Sequence, residues 1–134
     1  MKKLMLKNLL KGDISSLLSE TLAEKSAVLC TADSFKPAIF VSPVFEQQTG
    51  YTASEVIGRS LSFLQGPDTS PNAVSMIRYL LNNRLSGTIK ILNYTKSGRP
   101  FWNSLYIAPV FDTSDSVSHY VSIQDISEYQ DQKE

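Results

Sequence analysis

The chain has few groups suited to covalent or metal chemistry. Its 134 residues include one Cys, Cys30, and one His, His119. A single thiol excludes an internal disulfide and a multi-Cys zinc site. A single imidazole leaves little for metal ligation or a Ser-His-Asp triad, and neither a dinucleotide glycine fingerprint nor an obvious acid–base pair is present. What the sequence offers instead is carboxamides at strand spacing. Alternation puts Asn103, Leu105 and Ile107 on one strand face, with Trp102, Ser104 and Tyr106 on the other. Likewise Tyr120, Ser122 and Gln124 share a face, opposite His119, Val121 and Ile123. Amides therefore sit among apolar residues on faces suited to burial. A carboxamide carries a donor and an acceptor without charge, and burying one unpaired costs about 1–3 kcal/mol. A bound polar ligand would satisfy such groups, so the pattern suits recognition better than turnover.

The elements that must carry these residues can be read along the chain. Residues 1–25 form an N-terminal flanking segment. Met1 to Lys11 mixes leucines with four lysines, which interrupt any signal-peptide hydrophobic run. It reads as a helix packing on its own domain or on a second copy; the lesser alternative is a short cationic amphipathic helix touching a membrane. Asp13 is a helix cap, followed by Ile14, Leu17, Leu18, Thr21 and Leu22 as one apolar stripe. Residues 26–127 form the core. Strands are expected at 27–31 and 38–42, with Pro37 outside the ladder. A short helical turn over 44–49 ends at Gly50, and Thr52 to Glu55 has capping-box spacing. Ser70-Pro71 starts a longer helix to about Asn83, with Ala73, Val74, Ile77, Leu80 and Leu81 as its stripe. Strands follow over 88–95, 101–111 and 117–126, separated by turns at Lys96 to Arg99 and Asp112 to Asp115. Residues 128–134 form a polar tail. The order of elements is that of an α+β fold, an antiparallel sheet with helices packed on one face.

Composition narrows the function classes. Thirteen basic and thirteen acidic residues cancel, which gives no footprint for nucleic acid or an anionic membrane. No apolar run approaches a membrane span. The lone thiol fits a reducing, cytoplasmic setting.

Between the two halves lies Gly58-Arg59-Ser60-Leu61-Ser62-Phe63-Leu64-Gln65-Gly66. This stretch resembles the signature loop of the LOV domains, the flavin-binding photosensory branch of the PAS fold, which usually reads Gly-Arg-Asn-Cys-Arg-Phe-Leu-Gln-Gly. The resemblance extends without insertion or deletion from Gly50 to Gln124. It takes in Asn93-Tyr94-Thr95-Lys96-Ser97-Gly98 and Phe101-Trp102-Asn103. It implies a PAS-like five-stranded antiparallel sheet and a bound flavin, FMN foremost, with riboflavin or FAD as alternatives.

The same resemblance implies roles for particular residues. Asn93 and Asn103 match the asparagines on the flavin's pyrimidine edge. Gln65 matches the loop glutamine, and Gln124 the last-strand glutamine beside flavin N5 and O4. Arg78 matches one of two phosphate-binding arginines. Leu29, Thr31, Leu61, Leu64, Leu81, Leu105, Ile107, Tyr120 and Ser122 complete the implied cofactor contacts. With Leu29 and Thr31 toward the flavin, alternation turns Cys30 to the outer face of the sheet, beside Trp102, Tyr106 and His119. That face then needs a cover, from the N-terminal helix or from a second subunit in a homodimer.

Three departures from the family pattern are consecutive. Leu61 replaces the thiol that bonds to the excited flavin, so the usual photoadduct is excluded at that position. Ser62 replaces the second phosphate arginine, and Ser60 an asparagine of structural role. Ser122 stands where glycine is common. The implied function is a non-enzymatic blue-light or redox sensor. It signals through flavin photoreduction to the neutral semiquinone and reorientation of Gln124, passed on at Asp125-Ile126-Ser127-Glu128. The alternative is a PAS interaction domain that has lost flavin. The sequence names no effector.

Overall fold

The structure, a computed structural model, describes residues 4–5 and 24–129. The expected helix from Asp13 to Leu22 and most of the polar tail lie outside the described residues. β1 (Leu4–Met5) is followed by β2 (Ser26–Thr31), β3 (Ala38–Val41), β4 (Gly87–Tyr94), β5 (Pro100–Phe111) and β6 (Val117–Glu128). The last five pair antiparallel in the lateral order β3-β2-β6-β5-β4, so the first and last strands of the core lie side by side. β1 corrects the expectation of a helix over the first residues. It pairs parallel with Val110 and Phe111, on the edge of β5 beyond Ile107, opposite which β4 begins.

The helices begin where the sequence supplies caps. The Ser42 hydroxyl accepts from the Phe45 amide to start α1 (Pro43–Thr49), whose first residue is proline. The same hydroxyl accepts from the Ala27 amide and donates to the Lys25 carbonyl, tying α1 to the start of β2. Gly50 ends α1 in the left-handed region, φ 83°. Thr52 and Glu55 form the full capping box of α2 (Ala53–Val56). α3 (Pro71–Asn82) starts from Ser70.

The signature loop becomes a 3₁₀ turn, Leu61–Leu64, capped by Ser60, whose hydroxyl accepts from the Ser62 amide. Gly66 closes the loop against the sheet. A Cβ there would stand 2.3 Å from the Tyr94 ring, so no larger residue fits without movement. Thr69 secures the same corner, donating to the Leu92 carbonyl and accepting from the Gly66 amide.

Helices and the 3₁₀ turn pack on one face of the sheet. Val28, Cys30, Ala38, Val41, Phe45, Val56 and Leu64 form one buried cluster there. Ile91, Leu105, Ile107 and Tyr120 form a second, under Val74, Ile77 and Leu81 of α3. The opposite face carries its own buried cluster of Leu29, Ala108, Val110 and Val121, with Phe40 and Tyr106 against it.

That division corrects the assignment of faces on β2. Residues directly paired across an antiparallel ladder share a face. Ser26, Val28 and Cys30 pair with Gln124, Ser122 and Tyr120, whereas Leu29 and Thr31 pair with Val121 and His119. Cys30 therefore faces the helices, and Leu29 and Thr31 face away from them. A one-residue slip in aligning this strand exchanges all of its side chains.

Candidate functional site

Between the two helix-side clusters lies a cavity of about 540 Å³, within the size range of small-molecule pockets. β4, β5 and β6 form its floor, the 3₁₀ turn and α3 its walls, and the β2–β3 connection part of its rim. The expected residues Leu61, Leu64, Gln65, Arg78, Leu81, Asn93, Asn103, Leu105, Ile107, Tyr120, Ser122 and Gln124 all line it. Leu29 and Thr31 do not. Leu29 is fully buried in the outer cluster, and the Thr31 hydroxyl accepts from the Asp33 amide to shape the following turn.

The structure adds residues that were not expected at the site. Cys30, Lys36, Val74, Ile77 and Ile91 also line the cavity. Ile91 was readable, since it lies two residues before Asn93 on one strand face. Val74 and Ile77 belong to the α3 stripe already recognised as apolar. Nothing in the sequence alone marked Lys36.

The amides sit deep. Asn103 is 1% exposed and Asn93 4%. Asn103 Nδ2 donates to Asn93 Oδ1 at 3.0 Å, and Asn93 Nδ2 to the Leu92 carbonyl at 3.3 Å. Asn103 Oδ1 is buried with no hydrogen-bond partner, a costly state for a polar atom. Gln124 is held at both ends of its amide. Its Oε1 accepts from the Ser26 hydroxyl at 2.8 Å, and its Nε2 donates to the Ser122 hydroxyl at 3.0 Å. Ser26 thus supports the site from β2 without lining the cavity.

The charged groups at the cavity are few and cationic. Lys36 and Arg78 line the cavity, and among the described residues no Asp or Glu does. Burial pushes the Cys30 thiol up to about 11, against a smaller opposing effect of the Lys36 charge. The Tyr120 hydroxyl is also raised, first by burial, with the Arg84 charge opposing; it donates to the Leu81 carbonyl on α3 at 2.9 Å. His119 lies on the other face, its Nδ1 2.8 Å from the Ser118 hydroxyl, and burial lowers its pKa. Among the described residues no cluster of His, Cys, Asp and Glu is arranged to hold a metal. No helix among them is long and apolar enough to cross a membrane.

Comparison with known proteins agrees with this architecture. The profile of the PAS domain family matches residues 25–128. A blue-light-activated histidine kinase of Brucella anthropi is 48% identical over 88 residues, 66% of this chain. The chain spans 18% of that relative's length. A structure from a study of light-oxygen-voltage domain mechanism with a flavin analogue superposes with a TM-score of 0.79 at 36% identity, over 85% of each chain. The LOV domain of a blue-light activated histidine kinase from Erythrobacter litoralis superposes with a TM-score of 0.75 at 34% identity, over 78% of this chain and 97% of that one. By the extent of the family match and the cover of these structures, the chain belongs to the PAS domain family, in its LOV branch.

Proposed function

We propose that this chain is a sensory module that holds a flavin, FMN foremost, and responds to blue light or redox state without a thiol at the loop position occupied by Leu61. The observation that carries the proposal is the unpartnered Asn103 Oδ1 at the floor of the cavity. It lies beside Asn93 in a pocket that also presents Gln65 and Gln124. A planar heterocycle with donors and acceptors along one edge would satisfy that atom. Leu61, Leu64, Leu105 and Ile107 supply apolar walls for the faces of its ring.

A bound flavin would supply blue-light absorption and one-electron chemistry; the rest is the work of the chain's own residues. Asn93 and Asn103 would hold the pyrimidine edge. Leu61 offers packing and no nucleophile. Gln124 is set up to turn its amide end over end. Its two partners are hydroxyls, each able to donate or accept. After a turn, Ser26 would accept from the amide nitrogen and Ser122 would donate to the amide oxygen. Both hydrogen bonds would persist with reversed sense, and the change would reach β2 and β6 together. The module is a sensor rather than an enzyme on this reading, cytoplasmic, and paired with a second copy through the outer sheet face and N-terminal segment.

The direct test is an absorption spectrum of the purified protein with and without added FMN. Asn93→Ala combined with Asn103→Ala is expected to abolish most flavin binding. Full retention of flavin by that double variant would remove the site assignment. A protein that stays colourless with FMN in excess would instead be a PAS interaction domain without flavin.

A further inference from the structure

We infer that Lys36 is the second phosphate-binding cation of this pocket, supplying the charge that loop position Ser62 lacks. The inference deepens the flavin reading above and rests on it. Charge at the cavity is unbalanced: Lys36 and Arg78 line it, and among the described residues no carboxylate lines it with them. Among the described residues neither cation is paired with an acidic group. Two uncompensated cations at one pocket, above a floor of neutral amides, fit a ligand with an uncharged polar ring and an anionic tail.

The backbone aims Lys36 at this place. It lies in the connection between β2 and β3 with φ 52°, a left-handed conformation uncommon for a residue with a long side chain. The turn is held by the Lys36 amide donating to the Asp33 carbonyl at 2.9 Å and the Thr31 amide to the Pro37 carbonyl at 3.1 Å. Strain of this kind persists where the surroundings fix the residue. The ammonium lies 5.8 Å from the centroid of the Tyr120 ring. Tyr120 is itself anchored to α3 through its hydroxyl on the Leu81 carbonyl. Arg78 precedes Leu81 by three residues on that helix, which places both on one flank. Lys36 thus reaches the cavity from the β2–β3 connection at its rim and Arg78 from α3. Ser62 lines the same cavity and its hydroxyl accepts from Ser60 at 3.3 Å; it is short and uncharged.

Fluorescence titration of FMN and of riboflavin against the unmodified protein and Lys36→Met separates the possibilities, because only FMN carries a phosphate. Lys36→Met is expected to weaken FMN on the order of tenfold, as for loss of about 1.4 kcal/mol, and to leave riboflavin unchanged. Retained riboflavin binding also shows that the variant is folded. Ser62→Arg added to Lys36→Met is expected to restore the preference for FMN. Equal weakening of both ligands, or of neither, would remove Lys36 from the phosphate site while leaving the flavin reading intact. Failure of the unmodified protein to bind either flavin would overturn that reading and this inference with it.

Discussion

Ser26 and Gln124 face each other across the β2–β6 ladder, and the Ser26 hydroxyl donates to Gln124 Oε1 at 2.8 Å. Ser26 is 2% exposed, so this is a buried polar pair and not a surface contact. It links the residue expected to sense the ligand to the first residue of the core sheet. That residue adjoins Ala27, whose amide donates to the Ser42 hydroxyl at the start of α1. On the proposed mechanism, a change at Gln124 would have two routes outward, along β6 and through β2 toward the segment that precedes the core.

Ser26→Ala should leave Oε1 without this donor and destabilise the fold by about 1–2 kcal/mol, measured by denaturant unfolding. Ser26→Thr keeps the hydroxyl and should recover most of that loss. In the flavin-loaded protein, Ser26→Ala should also alter the rate of dark recovery after illumination. An unchanged rate would place Ser26 outside the response.

Much of the architecture was legible because each element carries its own local signal. The caps at Thr52 and Ser70 work as their spacing suggests, whereas Ser42, expected as the end of a strand, proves to cap α1. The amides of β4, β5 and β6 fall on the pocket face because alternation on half-polar strands is unambiguous. β2 was not legible in the same way. Ser26 to Cys30 are buried on both faces, so hydrophobicity does not distinguish inside from outside. The register also shifts between Leu29 and Cys30 in the pairing with β3. Only the pairing with β6 fixes which face each residue takes, and that is a tertiary fact. Lys36 was missed for a related reason, since the direction of a turn side chain depends on a left-handed backbone that no residue type at that position announces.

Gly66→Ala tests the close approach at the end of the signature loop. The added Cβ would meet Cε1 and Cδ1 of Tyr94 at 2.3 and 2.4 Å. The ring is not free to yield, because its hydroxyl accepts from the Asp68 amide at 3.0 Å. Overpacking of this kind costs about 1–3 kcal/mol, and thermal unfolding should show it. Tyr94→Leu combined with Gly66→Ala should relieve part of the loss; a double variant no better than the single one would mean that the strain lies elsewhere.

The buried thiol gives a dependence on pH with a definite sign. Burial raises Cys30 from 9.0 to about 11, so the folded chain holds this proton more tightly than the unfolded chain. The resulting stability is complete below about pH 9 and is lost as pH rises through about 11. The loss amounts to about 2 kcal/mol by pH 11. Cys30→Ala should flatten this part of the stability profile relative to the unmodified protein. Parallel profiles for the two proteins across that window would show that the thiol is not buried as described.

Leu61→Cys tests the reading of the loop most directly. Leu61 lines the cavity on the first turn of the 3₁₀ helix, and Ser60 caps that turn. The backbone there is held by the cap and by Gly66, neither of which the substitution touches. With flavin bound, a thiol at this position should give reversible bleaching of the blue absorption band on illumination. Attack geometry is sensitive to displacements of about 1 Å, so the yield reports how closely the loop keeps the geometry of its family. The experiment belongs in a Cys30→Ala background, because Cys30 also faces the cavity. Bleaching in Leu61→Cys, Cys30→Ala and none in Cys30→Ala alone would assign the reactive position to residue 61. No bleaching in the flavin-loaded double variant would overturn that assignment. Reversible bleaching in the unmodified protein that disappears in Cys30→Ala would instead make Cys30 the reactive thiol and contradict a sensor that works without one.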